Sequence, residues 1–300
     1  MQNSFKSQSY IERCRNFYHS VVRPLIIAEY PKLKYSVAVI GKNDALNVPK
    51  LQFFFVESEF AKAQLLIDEL FKKKLKQEYL GIYEFDTITS FYQQHLHYNP
   101  YKKISTRDWL SFSQEALSFL STGEVIDDGL KKLIFIRNKF KYYPSDVWLY
   151  LYLSEWDFIS TKKLVNSSVI YEDEVTFELV LSNISESLLR LCFFMEKQYI
   201  PGLKYMGNCI KQLPNIDQFI LFLNTVLTDH NDKKRVSSLY SLYELILAKH
   251  NSLGLTKTMK VESIQTALGE QNVINSQQIV NELGDIVNLA FYRRLRYKMD

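Results

Sequence analysis

The sequence predicts an α+β protein that is predominantly helical, with a small mixed-sheet head over residues 1–104 and an all-helical body over residues 105–300. Two observations predict this. Short β-branched and aromatic runs, SVAVI at 36–40, LQFFFV at 51–56 and YEFDTI at 83–88, cluster in the first hundred residues. From about residue 107 onward, apolar residues recur at helical spacing instead.

The elements follow in order. Residues 8–30 read as a helix, because Ile11, Cys14, Phe17 or Tyr18, Val21 and Val22 recur at helical spacing and Pro24 leads into LIIAEY. SVAVI reads as a buried strand closed by Gly41, and LQFFFV as a second strand. Over 58–79, Phe60, Ala63, Leu66, Ile67, Leu70 and Phe71 form an apolar stripe, and KKKLK at 72–76 places positive charge at the helix C-terminus. YEFDTI alternates and reads as a third strand. In the body, helices are expected over 106–120, 128–139, 145–159 and 173–199, the last ended by Pro201-Gly202. Further helices are expected near 203–212, 215–229, 232–249, 258–268 and 276–296.

Composition narrows the function classes. The 300 residues suffice for a sizeable core. With only 9 Gly and 7 Pro, long flexible linkers are not expected. A net charge of +4 neither demands nor excludes nucleic acid. Cys14, Cys192 and Cys209 are odd in number and form no CxxC pair, which reads as reduced, buried thiols. MQNSFKSQSY has no apolar core, and no run of about 18 apolar residues exists, so a cytoplasmic protein without a membrane span is expected. No GxSxG, P-loop or GxGxxG occurs, which leaves hydrolase and ordinary NTPase chemistry without support.

Several stretches are familiar in order and spacing: STGEVIDDGLKKLIFIR (121–137), YYPSDVWLYLYLSEW (142–156), EDEVTFELVLSNISESLLRLCFFMEKQYIPGLKYMG (172–207), KQLPNI (211–216) and AKHNSLGLT (248–256). Through these the chain resembles a bacterial family of nucleotidyltransferase-fold proteins of largely uncharacterised function. The resemblance implies a short nucleotidyltransferase head followed by a helical domain. It covers roughly residues 8–290 and is specific in the body, poor in the head. The head departs from the family where chemistry is expected. The family's glycine-serine pair reads Gly41-Lys42. Its long acidic run is shortened, leaving Pro49-Lys50-Leu51-Gln52, and its acidic positions fall on Asp44 and Leu46. Farther on, a glutamine-glutamate-glutamate stretch reads Thr161-Lys162-Lys163, and a lysine-tryptophan pair reads Lys204-Tyr205.

Nucleotidyl transfer needs metal ions to neutralise the triphosphate and activate a hydroxyl, and Mg²⁺ is anchored by carboxylates. Leucine cannot replace a carboxylate, and lysine offers phosphate only a point charge. The leading expectation is therefore a catalytically degenerate protein that works by binding a nucleotide or other anionic small molecule, or a protein partner. Its candidate ligand-binding residues are Gly41, Lys42, Lys50, Asp173, Glu174 and Lys204, with Tyr199 beside the last. No cofactor is expected. The competing class is an active enzyme with a relocated site. It would use Mg²⁺ and Asp44 together with the i, i+2 pairs Glu57/Glu59 or Glu84/Asp86, since such spacing puts two carboxylates on one strand face. Membrane and nucleic acid are not expected partners. A third class nonetheless uses Lys72–Lys74, Lys76, Lys131, Lys132, Arg137, Lys139 and Lys141 as a nucleic-acid surface, with Tyr142 and Tyr143 to stack on bases. His95 and His97 share i, i+2 spacing without a nearby acidic or thiol ligand in sequence, so they are expected to hold no metal.

Overall fold

A computed structural model describes residues 10–41, 50–79, 82–161, 174–266 and 269–284. Its first described element is one helix in three pieces: α1 (Tyr10–Phe17), a π-helical turn (Tyr18–Val22) and α2 (Arg23–Glu29). Pro24 explains the interruption. It has no N–H for the Ser20 carbonyl, and its ring crowds that carbonyl. The helix widens just before it, with the Arg23 N–H reaching Tyr18 O.

Next come β1 (Tyr35–Ile40) and β2 (Leu51–Phe55), paired antiparallel with Ala38 opposite Gln52. A short 3₁₀ turn (Glu57–Glu59) leads into α3 (Phe60–Lys74), and β3 (Tyr83–Thr87) then pairs parallel to β2. The sheet order is β3-β2-β1-β4, where β4 (Gly123–Asp128) runs antiparallel to β1. The sheet is thus mixed, as the sequence predicts. Its two faces divide by the period of two. Val37, Val39, Leu51, Phe53 and Phe55 pack against α1 and against Ala63, Ile67 and Phe71 of α3. On the other face Phe54 meets Phe91 of α4 (Ile88–Leu96), with ring centroids 5.2 Å apart. Each fully buried Phe here contributes about 2–3 kcal/mol of transfer free energy.

Two expectations are corrected in this region. A single helix over 106–120 is two, α5 (Thr106–Ser111) and α6 (Gln114–Ser121), because Ser105 and Ser113 each accept a backbone N–H and cap a separate start. The helix expected from Asp128 begins later, as α7 (Leu133–Lys139). Asp128 instead ends β4. Its carboxylate accepts from Ser36 Oγ (2.7 Å) and from the N–H groups of Lys132, Leu133 and Ile134 (3.3, 3.2 and 3.1 Å). Strand β4 and α7 therefore belong to the first of two compact units. These divide between Tyr142 and Tyr143.

The second unit holds α8 (Ser145–Thr161), α9 (Glu174–Met195), α10 (Leu203–Ile210), α11 (Asp217–Thr228), α12 (Asp232–Ser252) and α13 (Ser276–Gly284). Its core is aromatic, with Tyr152, Trp156, Phe177, Phe193 and Phe194 fully buried. The body is not all-helical. Where a helix is expected over 258–268, β5 (Val261–Thr266) pairs antiparallel with β6 (Gly269–Ile274). VESIQT carries three β-branched residues in six, a composition that favours a strand once a partner segment follows. No described helix is long and apolar enough to cross a membrane. The protein is α+β and predominantly helical.

Candidate functional site

Strand β1 delivers Gly41 to one end of the sheet. There it takes φ +76°, a conformation that favours glycine, and a Cβ added to it would lie 2.6 Å from Phe119 of α6. The antiparallel register sets the start of β2 beside it, so Lys50 and Gln52 sit at the same end. The Lys50 N–H is held by Tyr10 Oη at 2.9 Å. The parallel register then brings Glu84 opposite Gln52 and Asp86 opposite Phe54. Glu84 is tied to Lys50 Nζ at 2.7 Å, with both side chains about half exposed. Asp86 is buried, and its Oδ1 accepts the Thr87 N–H at 2.7 Å. Thr87 in turn caps α4 through Ser90 N. Gln52 is likewise buried, the one polar side chain in an otherwise aromatic and aliphatic strand.

His95 completes this face. Its ring lies 4.7 Å from Phe91 and 5.0 Å from Phe119, centroid to centroid. Burial pushes the imidazole below its ordinary pKa, while the Asp86 and Glu84 carboxylates act the other way. His95 is therefore neutral at pH 7. His97 does not join it. It occupies the left-handed position that ends α4, exposed, at φ +53°. Among the described residues no group of three His, Cys, Asp or Glu side chains is placed to hold a metal ion.

The sequence-derived candidates thus separate. Gly41, Lys50 and Glu84 come together at one end of the sheet, and Asp86 shares the face of Glu84 two residues farther along, opposite Phe54. Glu57 and Glu59 lie in the 3₁₀ turn at the opposite end of β2, about 17 Å away by strand rise. Lys42, Asp44 and Asp173 lie outside the described residues. Glu174 opens α9, exposed, where its charge suits the helix dipole. Lys204 lies in the first turn of α10, with Nζ 4.7 Å from the Tyr205 ring centroid. Tyr199 is buried against Tyr143, 4.7 Å between centroids, so both tyrosines are core rather than stacking surfaces. Sequence reading assigned no role to Gln52 or Phe119. A lone amide inside LQFFF is the signal that could have found the first. Nothing local marks the second.

The familiar motifs of the second unit place buried polar groups. Glu155, from LYLSEW, receives Arg190 Nε at 2.8 Å. Tyr152 and His250 Nδ1 lie 2.6 Å apart, and His250 Nε2 is 2.8 Å from Thr256 Oγ1. The Thr256 hydroxyl donates to Lys257 O, so it accepts from Nε2–H. That fixes Nδ1 as the unprotonated nitrogen, accepting the Tyr152 O–H. Burial lowers the His250 pKa to about 4. The sign follows by linkage. The unfolded imidazole gains a proton below about pH 6.5 while the folded one stays neutral until about pH 4. Stability is therefore full above pH 6.5 and is lost as pH falls toward 4, by about 3 kcal/mol in all. Urea unfolding of wild type and His250→Gln at pH 7 and 4.5 checks this. The wild type is expected to lose the larger share of its stability.

A surface hollow of about 600 Å³ at the C-terminal end of α11, lined by Leu221, Thr228 and Asn231 among others, lies in the second unit. Two of its polar groups are engaged within the fold: Thr228 Oγ1 donates to Asn224 O and Asn231 caps α12.

Residues 109–206, about a third of the chain, match the family model described as a domain of unknown function (DUF4037). No curated protein and no solved structure matches the chain.

Proposed function

We propose that the protein is a nucleotidyltransferase-like binding protein that takes a nucleotide or related anionic small molecule at the Gly41 turn and does not carry out metal-dependent transfer. One observation carries the reading: the two carboxylates that β3 places on this sheet face are engaged within the fold. Glu84 is neutralised by Lys50, and Asp86 is buried at the start of α4 with an oxygen on the Thr87 N–H. A pair of carboxylates committed in this way is a poor anchor for two hard cations. The same geometry supports anion binding. An exposed Lys–Glu pair is worth only about 0–1 kcal/mol, whereas a charge-assisted bond to phosphate is worth about 1.5–3 kcal/mol. Lys50 can therefore turn from Glu84 to an incoming phosphate at a net gain.

Calorimetric titration of ATP, GTP, CTP and UTP, with and without Mg²⁺, tests this. Binding of at least one nucleotide, unchanged within about twofold by Mg²⁺, is expected. Lys50→Ala should weaken it about tenfold. Glu84→Gln, which removes the competing carboxylate, should tighten it by up to about fivefold. Binding that requires Mg²⁺, or release of pyrophosphate, would overturn the reading.

A further inference from the structure

A second surface of the first unit is built for a different ligand. Two segments distant in sequence, His97–Arg107 and Gly129–Pro144, contain no Asp or Glu, yet Lys102, Lys103, Arg107, Lys131, Lys132, Arg137, Lys139 and Lys141 all fall within them. The fold brings the two together. Lys139 Nζ donates to Pro100 O at 3.0 Å, and Lys132 Nζ lies 5.9 Å from the Tyr101 ring centroid. Arg137 is not part of the surface. It turns inward to the carbonyls of Ser121, Thr122 and Gly123. Lys132 and Lys139 stand beside two aromatic rings left in solvent, Tyr101 at 45% and Phe135 at 62% relative exposure, with Ile134 at 50%, and Lys102, Lys103, Lys131 and Lys141 are exposed in the same two segments. Lys139 Nζ also stands 5.2 Å from the Phe135 centroid.

Glu57 and Asp128 act electrostatically on Tyr101. Asp128 is already saturated by Ser36 and the start of α7, and Asp108 by its bonds with Ser105.

We infer that this face, centred on Phe135 and Tyr101 and rimmed by Lys102, Lys103, Lys131, Lys132 and Lys141, binds single-stranded nucleic acid. Exposed rings interleaved with ammonium groups serve stacking and phosphate contact at once, which is how sequence-tolerant single-strand binders work. A duplex offers phosphates but no free base faces, so it satisfies only half of the surface. The tyrosines that sequence reading offered for stacking are not the ones used. Tyr143 is buried, and the exposed rings are Tyr101 and Phe135.

Fluorescence anisotropy of the full chain with a labelled single strand of about 12 nucleotides, its duplex, and phosphatidylserine vesicles as competitor tests the inference. Single-strand binding should fall linearly on a log–log salt plot with a slope of about −2 to −3, as expected for three to four phosphate contacts. The duplex should bind more weakly. Phe135→Ala should reduce affinity about 5- to 100-fold with the salt slope unchanged. Lys131→Glu/Lys132→Glu should weaken binding and flatten the slope by about one unit or more. These side chains are exposed, so thermal midpoints should not move. Lys50→Ala should leave oligonucleotide binding intact, which separates this surface from the Gly41 turn. No binding at about 50 mM salt, an unaffected Phe135→Ala, equal affinity for duplex, or binding to vesicles in place of oligonucleotide would each overturn it.

Discussion

Gly123→Ala is expected to destabilise the first unit by about 3–5 kcal/mol, lowering its calorimetric midpoint by about 10 °C or more. Gly123 begins β4 opposite Ile40, at φ +84°, and an added Cβ would lie 2.0 Å from the Val39 carbonyl oxygen. The clash is with the backbone of β1, so no side chain can rotate away. The strand must move, and with it the carbonyls of Ser121, Thr122 and Gly123 that receive the Arg137 guanidinium. Gly254→Ala is the control. It has φ +62° and nothing within 4 Å of the added Cβ, so only the left-handed conformation is penalised, by about 1–2 kcal/mol. Equal losses in the two variants would mean that the contact with Val39 is relieved cheaply.

Arg190→Ala is expected to cost the second unit about 3–5 kcal/mol, because it strands the Glu155 carboxylate, whose side chain is only 7% exposed. Burial works against the Arg190 charge, yet Glu155, and next Glu186, hold its pKa above the ordinary value. The double variant Glu155→Leu/Arg190→Met should recover most of the loss, since replacing both partners by apolar groups removes the desolvation cost along with the attraction. Urea denaturation of the single and double variants at pH 7 decides it. A double variant as unstable as Arg190→Ala alone would mean that the pair contributes through packing or through its further partners rather than through charge.

How far the sequence reached follows from where each signal is stored. SVAVI, LQFFFV and YEFDTI were legible because β-branched and aromatic runs report burial directly. The long helices were legible because an apolar stripe repeats within a single window. Strand β4 was not. GEVIDD has two apolar residues and three acids, and becomes a strand only through pairing with β1, including a register shift at Val37/Ala38. The same holds for β5 and β6, which need each other. At the candidate site, i, i+2 spacing correctly puts Glu84 and Asp86 on one face. It cannot say which end of a sheet a pair occupies, and that depends on whether neighbouring strands run parallel or antiparallel. Glu57 and Glu59 have the same spacing but lie in the 3₁₀ turn beyond β2, where that spacing does not put two side chains on one strand face. The basic surface was half legible. The lysines could be read off the chain, but which aromatics stay in solvent is a matter of packing.

The widened turn at Tyr18–Val22 has a consequence for how related chains should be compared with this one. Tyr10, Cys14, Tyr18, Val22 and Ile26 are all buried at a constant spacing of four. In an unbroken α-helix each four-residue step overshoots a full turn by about 40°, so the last of them would face about 160° away from the first. The wide turn takes up about 100° of that excess, one residue's rotation, and keeps all five in one core. The helix thus carries the equivalent of a one-residue insertion inside itself. A relative lacking Pro24 is free to close the turn and drop that residue. A gap-free alignment across it would then pair core positions on one side of the turn with solvent positions on the other.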